Sequence, residues 1–192
     1  MPTGVHLRDA RGQLFDAAER VLLRDGPNAL TSRAVTDEAG CAKGVLHRYF
    51  PDFDAFLAAL VRDRAAALEE ETRALGASVG TGTVAGNLTR ALLSLFGPVP
   101  VAIIPLITFR DALRARLRES DPRGGIAILA QATTAISAYL TAERARGRLP
   151  ADTDIDALTL SLVGGGHLLF ADRDADPPTE ATVGRFVAGV VG

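Results

Sequence analysis

Lys43, His47 and Arg48 fall close together in the stretch TSRAVTDEAGCAKGVLHRYF, residues 31–50. Lysine and arginine carry the charge that meets phosphate. Histidine adds a polar ring, and Gly44 beside Lys43 leaves room for a backbone to come near base edges. These residue types in this order point to recognition of a polyanion rather than to bond-making. Other candidate chemistries fail on spacing. His6, His47 and His167 are too far apart in sequence to form a ligand pattern, so no metal is expected. Asp172, Asp174 and Asp176 have the rhythm of a calcium loop. Pro177 stands where that loop needs glycine and Val183 where it needs glutamate, so the segment reads as a polar loop. Gly80-Thr81-Gly82-Thr83 lacks the Gly-Lys that would make a phosphate loop. No acid-base set converges, so neither an enzyme nor a cofactor is expected. The single cysteine, Cys41, reads as a small half-buried residue.

The basic residues need a scaffold. Thr31 is a good helix N-cap, and Ala34, Val35 and Ala39 give the helix after it an apolar side. Gly40-Cys41-Ala42 makes a tight turn into a second short helix that Pro51 closes. Leu46 and Phe50 share the inner face of that helix, which leaves Lys43, Gly44, Val45, His47 and Arg48 outside. Two short helices joined in this way form a helix-turn-helix, and the second fits a major groove about 12 Å wide. A helical hairpin with a solvated charged face is the alternative reading of the same segment. Ahead of it, Leu14, Ala18, Val21 and Leu22 pattern a helix over about residues 7–25, stopped by Gly26-Pro27. Arg8 and Arg11 stand at its start, as a solvated tail or an arm. After it, Asp52 caps a long fourth helix striped by Phe53, Phe56, Leu57, Leu60, Val61, Ala65 and Leu68.

Residues about 10–58 resemble the N-terminal domain of TetR-family transcriptional regulators. The resemblance rests on Leu30-Thr31, Arg33, Val35, Ala39-Gly40, Lys43-Gly44, Leu46 and Tyr49-Phe50-Pro51. It implies that Thr31 and Arg33 lie near the phosphate backbone and that Lys43 touches phosphate. It also implies that Gly44 and Val45 approach base edges. His47 stands where relatives carry a phosphate-contacting tyrosine, and Arg48 joins the same surface. Ala42 replaces the usual serine cap, Val45 the usual threonine, and Phe53 a common phosphate-binding lysine, which implies altered specificity or weaker binding. The resemblance further implies a homodimeric repressor that leaves a palindromic operator when a small molecule binds.

The chain has 192 residues, enough for one large domain or two small ones. Its 21 Lys and Arg against 23 Asp and Glu give a net charge of −2, so bulk charge gives no hint of nucleic acid. Residues 1–50 hold seven basic and six acidic side chains, a net of +1, so any basic surface must be local. One cysteine and no apolar run of leader or membrane length lead us to expect a cytoplasmic protein without a membrane partner. No alternating strand pattern of useful length appears, so the fold is expected to be all-α. We divide it into a helix-turn-helix domain over residues 1–51 and a regulatory, ligand-binding and dimerisation domain over 52–192. Phe96, Ile103, Ile107, Phe109 and His167 are the expected lining for an apolar effector. Glycines 164–166 interrupt the apolar pattern of the helix over about residues 154–170, and such a run suggests close helix approach, a kink or a pocket wall. That helix is apolar nearly all round, so one face should pair with a second copy, with Leu162 and Leu169 as interface positions. Two rival readings stay open: a helical protein-interaction or small-molecule-binding module without DNA binding, and an enzyme on a helical scaffold.

Overall fold

A computed structural model describes residues 9–120, 127–171 and 176–192. Arg8 and His6, and Asp172 and Asp174 of the polar loop, lie outside the described residues. Every regular element among those described is an α-helix. The chain forms two compact units, Met1–Asp63 with Ala102–Gly124, and Arg64–Val101 with Gly125–Gly192.

In the first unit, α1 (Ala10–Asp25) is capped by Asp9, whose Oδ1 accepts from the Gly12 N–H at 2.9 Å. It ends at Gly26, where φ is 86°, a conformation open chiefly to glycine. The first helical turn holds Arg11. Its guanidinium lies 5.4 Å from the Phe15 ring centroid and 5.6 Å from that of Phe50, so it is a stacked cation rather than a tail. Next come α2 (Ser32–Glu38), α3 (Gly44–Tyr49) and α4 (Phe53–Ala77). Phe15, Phe50 and Phe56 meet at centroid distances of 5.1 to 6.0 Å and join α1, the end of α3 and the start of α4 around one core. Arg20 and Arg24 each reach Glu38 at 2.8 Å and tie α1 to α2. They hold the Glu38 carboxyl below its ordinary range.

The prolines near residue 100 yield two helices, α6 (Pro98–Thr108) and α7 (Asp111–Ser120). They divide at residues 109–110, not at a proline. Pro98 and Pro100 sit in the first turn of α6, where the missing N–H has no helical partner to lose.

The second unit holds α5 (Val84–Leu95), α8 (Ala127–Ala145), α9 (Ile155–Phe170) and α10 (Glu180–Val191), with α5 on α10 and α8 on α9. Helix α9 runs unbroken through glycines 164–166. A Cβ at Gly165 would sit 2.4 Å from the Phe186 ring, and one at Gly166 would sit 3.0 Å from that of Phe96. The glycines admit aromatic rings from α10 and the end of α5, and that packing offsets their poor helix propensity. At the other end of the unit, the Asn87 amide donates to the Tyr139 hydroxyl at 3.0 Å and to Thr81 O at 2.9 Å. The fully buried Glu143 accepts from the Gly80 N–H at 3.1 Å and faces Arg148 Nε at 3.4 Å. This network satisfies the backbone of the Gly-rich loop between α4 and α5. No single helix among the described residues is long and apolar enough to cross a membrane.

Candidate DNA-reading interface

Thr31 begins the site. Its backbone is extended, and its hydroxyl accepts from the Ala34 N–H at 3.1 Å, the geometry of an N-cap. Gly40, at φ 65°, makes the turn after α2. Val45 N–H then bonds to Ala42 O at 2.9 Å and Lys43 already has helical dihedrals, so α3 starts without a side-chain cap. Its inner face is Leu46, fully buried, with Phe50 just beyond it at 6% exposure. This pattern fixes the outer face. Lys43, Gly44, His47 and Arg48 are exposed, and Val45 is half-buried. Arg33 is exposed on α2 and pairs loosely with the exposed Asp37 at 3.5 Å. A pair so open to water holds its partners weakly, so the guanidinium stays available to phosphate.

Cys41 is half-buried in the turn, and burial pushes its thiol pKa up. That lowers the thiolate fraction and with it the reactivity. Tyr49, 49% exposed, is a member of this surface that sequence reasoning left out. The i, i+4 spacing that places Leu46 and Phe50 on the inner face is the signal that could have placed Tyr49 outside. Among the described residues no group of three or more His, Cys, Asp or Glu is placed to hold a metal ion.

Residues 14–60 match the model for bacterial regulatory proteins of the tetR family. That span runs from the core residues of α1 into α4 and contains the whole reading surface. The match covers 47 of the 192 residues, the helix-turn-helix part of the chain. The fold likeness extends further. FadR of Bacillus subtilis, solved with stearoyl-CoA, has a TM-score of 0.68 at 19% identity over 94% of this chain and 97% of its own. The fatty acid degradation regulator FadR of Bacillus halodurans gives 0.69 at 16% identity, over 98% and 97%. GusR of Salmonella enterica gives 0.67 at 14%, over 97% of each chain. Comparison with curated proteins gives no match. The chain therefore shares its helical layout with these structures, while its family match is confined to residues 14–60.

The expected effector lining divides between the units. Phe96 and His167 belong to the second, with ring centroids 6.3 Å apart, and Phe170 stacks on Phe96 at 6.4 Å. His167 Nδ1 is buried and has no hydrogen-bond partner. Ile103 and Ile107 belong to the first unit and are buried there. Phe109 does not line a pocket: it ends α6 with 81% of its surface exposed, because the chain leaves the helix there. A groove of about 500 Å³ lies elsewhere in the second unit, between the end of α4, α5 and the start of α10. Glu71, Leu75, Ser78, Arg90 and Glu180 are among its walls, and none of the five expected residues is.

Of the two expected interface positions, Leu162 needs correction. Leu162 is fully buried inside its own unit and Leu169 is half-buried. Leu160 and Leu168, each 74% exposed, are the leucines that α9 shows to the outside.

Proposed function

We propose that this regulator is a homodimeric repressor. It holds a two-fold symmetric operator and releases it when a small, mostly apolar effector binds. DNA reading falls to residues 1–51, and effector binding and assembly to residues 52–192. The observation that carries the reading is the outer face of α3, where Lys43, Gly44, His47 and Arg48 stand clear of a core closed by Leu46 and Phe50. Thr31 and Arg33 at the start of α2 would add phosphate contacts, and Val45 would meet a thymine methyl.

Dimerisation is supported by the outer faces of α8 and α9. Ala130, Thr134 and Ala138 on α8, and Leu160, Gly164 and Leu168 on α9, are all exposed. Small residues beside protruding leucines on two helices packed together suit self-pairing about a twofold axis. Effector binding is supported by the Phe96, His167 and Phe170 cluster, in which the unpartnered Nδ1 offers a hydrogen bond to a ligand with an apolar body. The Bacillus subtilis neighbour was solved with stearoyl-CoA, a long apolar chain on a polar carrier. The same ligand class suits this cluster.

The test is selection of duplexes from a randomised library with the full-length protein, followed by titration with long-chain acyl-CoA. The reading expects a palindromic consensus and an acyl-CoA that weakens duplex binding by roughly 5–150-fold, a coupling of about 1–3 kcal/mol. An acyl-CoA that binds equally well with and without the selected duplex is not the effector. Selected sites without twofold symmetry would remove the dimeric operator model.

A further inference from the structure

Two arginines outside the family-matched segment grip both ends of the DNA-reading element. Arg110 immediately precedes α7, and its guanidinium donates to the carbonyl of Leu30 at 2.9 Å. Leu30 immediately precedes the Thr31 cap of α2, and its side chain is fully buried. The same guanidinium lies 5.7 Å from the centroid of Phe53, the first residue of α4. One and a half turns along α7, Arg116 makes a bidentate pair with Asp52, at 2.6 Å to Oδ1 and 3.0 Å to Oδ2. Asp52 Oδ1 also accepts from the Ala55 N–H at 2.7 Å and so caps α4. Everything that reads DNA lies between these two anchor points, Leu30 and Asp52. Ala102–Gly124, which carries both arginines, belongs to the same compact unit as α1, α2 and α3.

A forked pair fixes orientation as well as distance, because both N–H bonds must align with one carboxylate plane. A guanidinium bonded to a backbone carbonyl fixes the chain itself rather than a rotatable side chain. The two contacts together set how far the start of α2 stands from the start of α4. That distance governs the tilt of the short α3 between them. Neither arginine is needed to satisfy the core: Asp52 keeps its cap bond without Arg116, and the Phe15, Phe50 and Phe56 cluster stands without Arg110.

We propose that Arg110 and Arg116 are positioning residues for operator recognition, acting from α7 through Leu30 and Asp52 to hold α3 at its reading angle. They would not touch DNA themselves.

The test uses the full-length protein and its best selected duplex, with R110Q, R116Q, R116K and D52N, and with the D52N/R116Q double variant. Asparagine keeps the α4 cap while removing the charge that Arg116 grips. Positioning predicts that R116Q and D52N each lose about tenfold in affinity for the selected duplex, and that the double variant loses no more than either alone. R116K, which keeps the charge but not the fork, should fall between wild type and R116Q. Binding to non-specific duplex, and the dependence of log affinity on log salt, should stay as in wild type. Circular dichroism and sedimentation, run on every variant, restrict the comparison to folded protein. Amide exchange at residues 32–35 should speed up in R110Q, which gives a readout independent of DNA. Two results would overturn the proposal. One is unchanged affinity for the selected duplex in folded R110Q and R116Q. The other is a lower salt slope in R116Q with no effect of D52N, which would make Arg116 a direct phosphate contact. The wild-type titration measures DNA binding itself, so a failure of the DNA-binding reading shows there and a failure of the clamp shows only in the variants.

Discussion

Gly44 is the most informative single residue on the reading surface. Its backbone is helical, and a Cβ built on it meets nothing within 4 Å. Nothing inside the fold therefore requires glycine, and alanine would favour the helix by up to about 1 kcal/mol. If the space beside Gly44 is where DNA approaches, G44A should be as stable as wild type or more so, yet bind its duplex more weakly. A thermal melt and a titration on the same sample check both halves. A stabilised G44A with full affinity would mean that the recognition helix does not approach through this residue. Lys43 acts differently. As a phosphate contact it reads no sequence, so K43A should weaken every duplex alike and lower the salt slope by about 1. A replacement at Val45 should instead change which sequence is preferred.

The helices α8 and α9 carry the assembly prediction. L160E or L168E places a charge on the exposed apolar stripe and should give soluble monomers in sedimentation. L162E buries an unpaired charge in the core and should give unfolded protein instead. Dimers that persist in both L160E and L168E would move the interface elsewhere. The caps carry another. Helix α3 starts with no side-chain cap, so A42S should steady it by about 1 kcal/mol. The ion pairs of the first unit give a pH dependence. Asp52 beside Arg116, and Glu38 beside Arg20 and Arg24, are held below the usual carboxylate range. A lowered native pKa means that the unfolded chain takes up protons first as pH falls. The stabilisation is therefore present at neutral pH and drains away from about pH 4 downward. The gap in thermal midpoint between wild type and R116Q should shrink between pH 7 and pH 3, and a constant gap would contradict the pairing. Much of this scale was legible in the sequence, because Thr31, Asp52 and Asp154 cap helices by local chemistry and Gly26 and Gly147 end them with positive φ. What was not legible depends on distant partners. Glycines 164–166 suit close helix approach, a kink or a pocket wall alike until Phe186 and Phe96 are seen filling the space at Gly165 and Gly166. Helix α9 has leucines on every side, so its period could not tell the buried Leu162 from the exposed Leu160 and Leu168. Arg110 and Arg116 belong to no motif in the sequence, and only the fold brings them to Leu30 and Asp52.

At the scale of the whole molecule, a net charge of −2 is compatible with the proposed recognition surface, because the cations of α2 and α3 face outward while Glu38 is spent on Arg20 and Arg24. Affinity for DNA should therefore be modest on random sequence and should rest on two reading heads acting at once. A dimer doubles the contacts only if its recognition helices match the spacing of successive grooves, about 34–36 Å or a larger half-site separation. An effector that favours a mis-spaced pair would release the operator without touching α3. Footprinting the full-length protein on its selected duplex, beside K43A and L160E, tests the central claim most directly. The account predicts two protected half-sites related by a twofold axis for wild type. It predicts fainter protection of the same two for K43A, and loss of joint protection for L160E. A single asymmetric footprint, or identical footprints for wild type and K43A at every salt concentration, would contradict it.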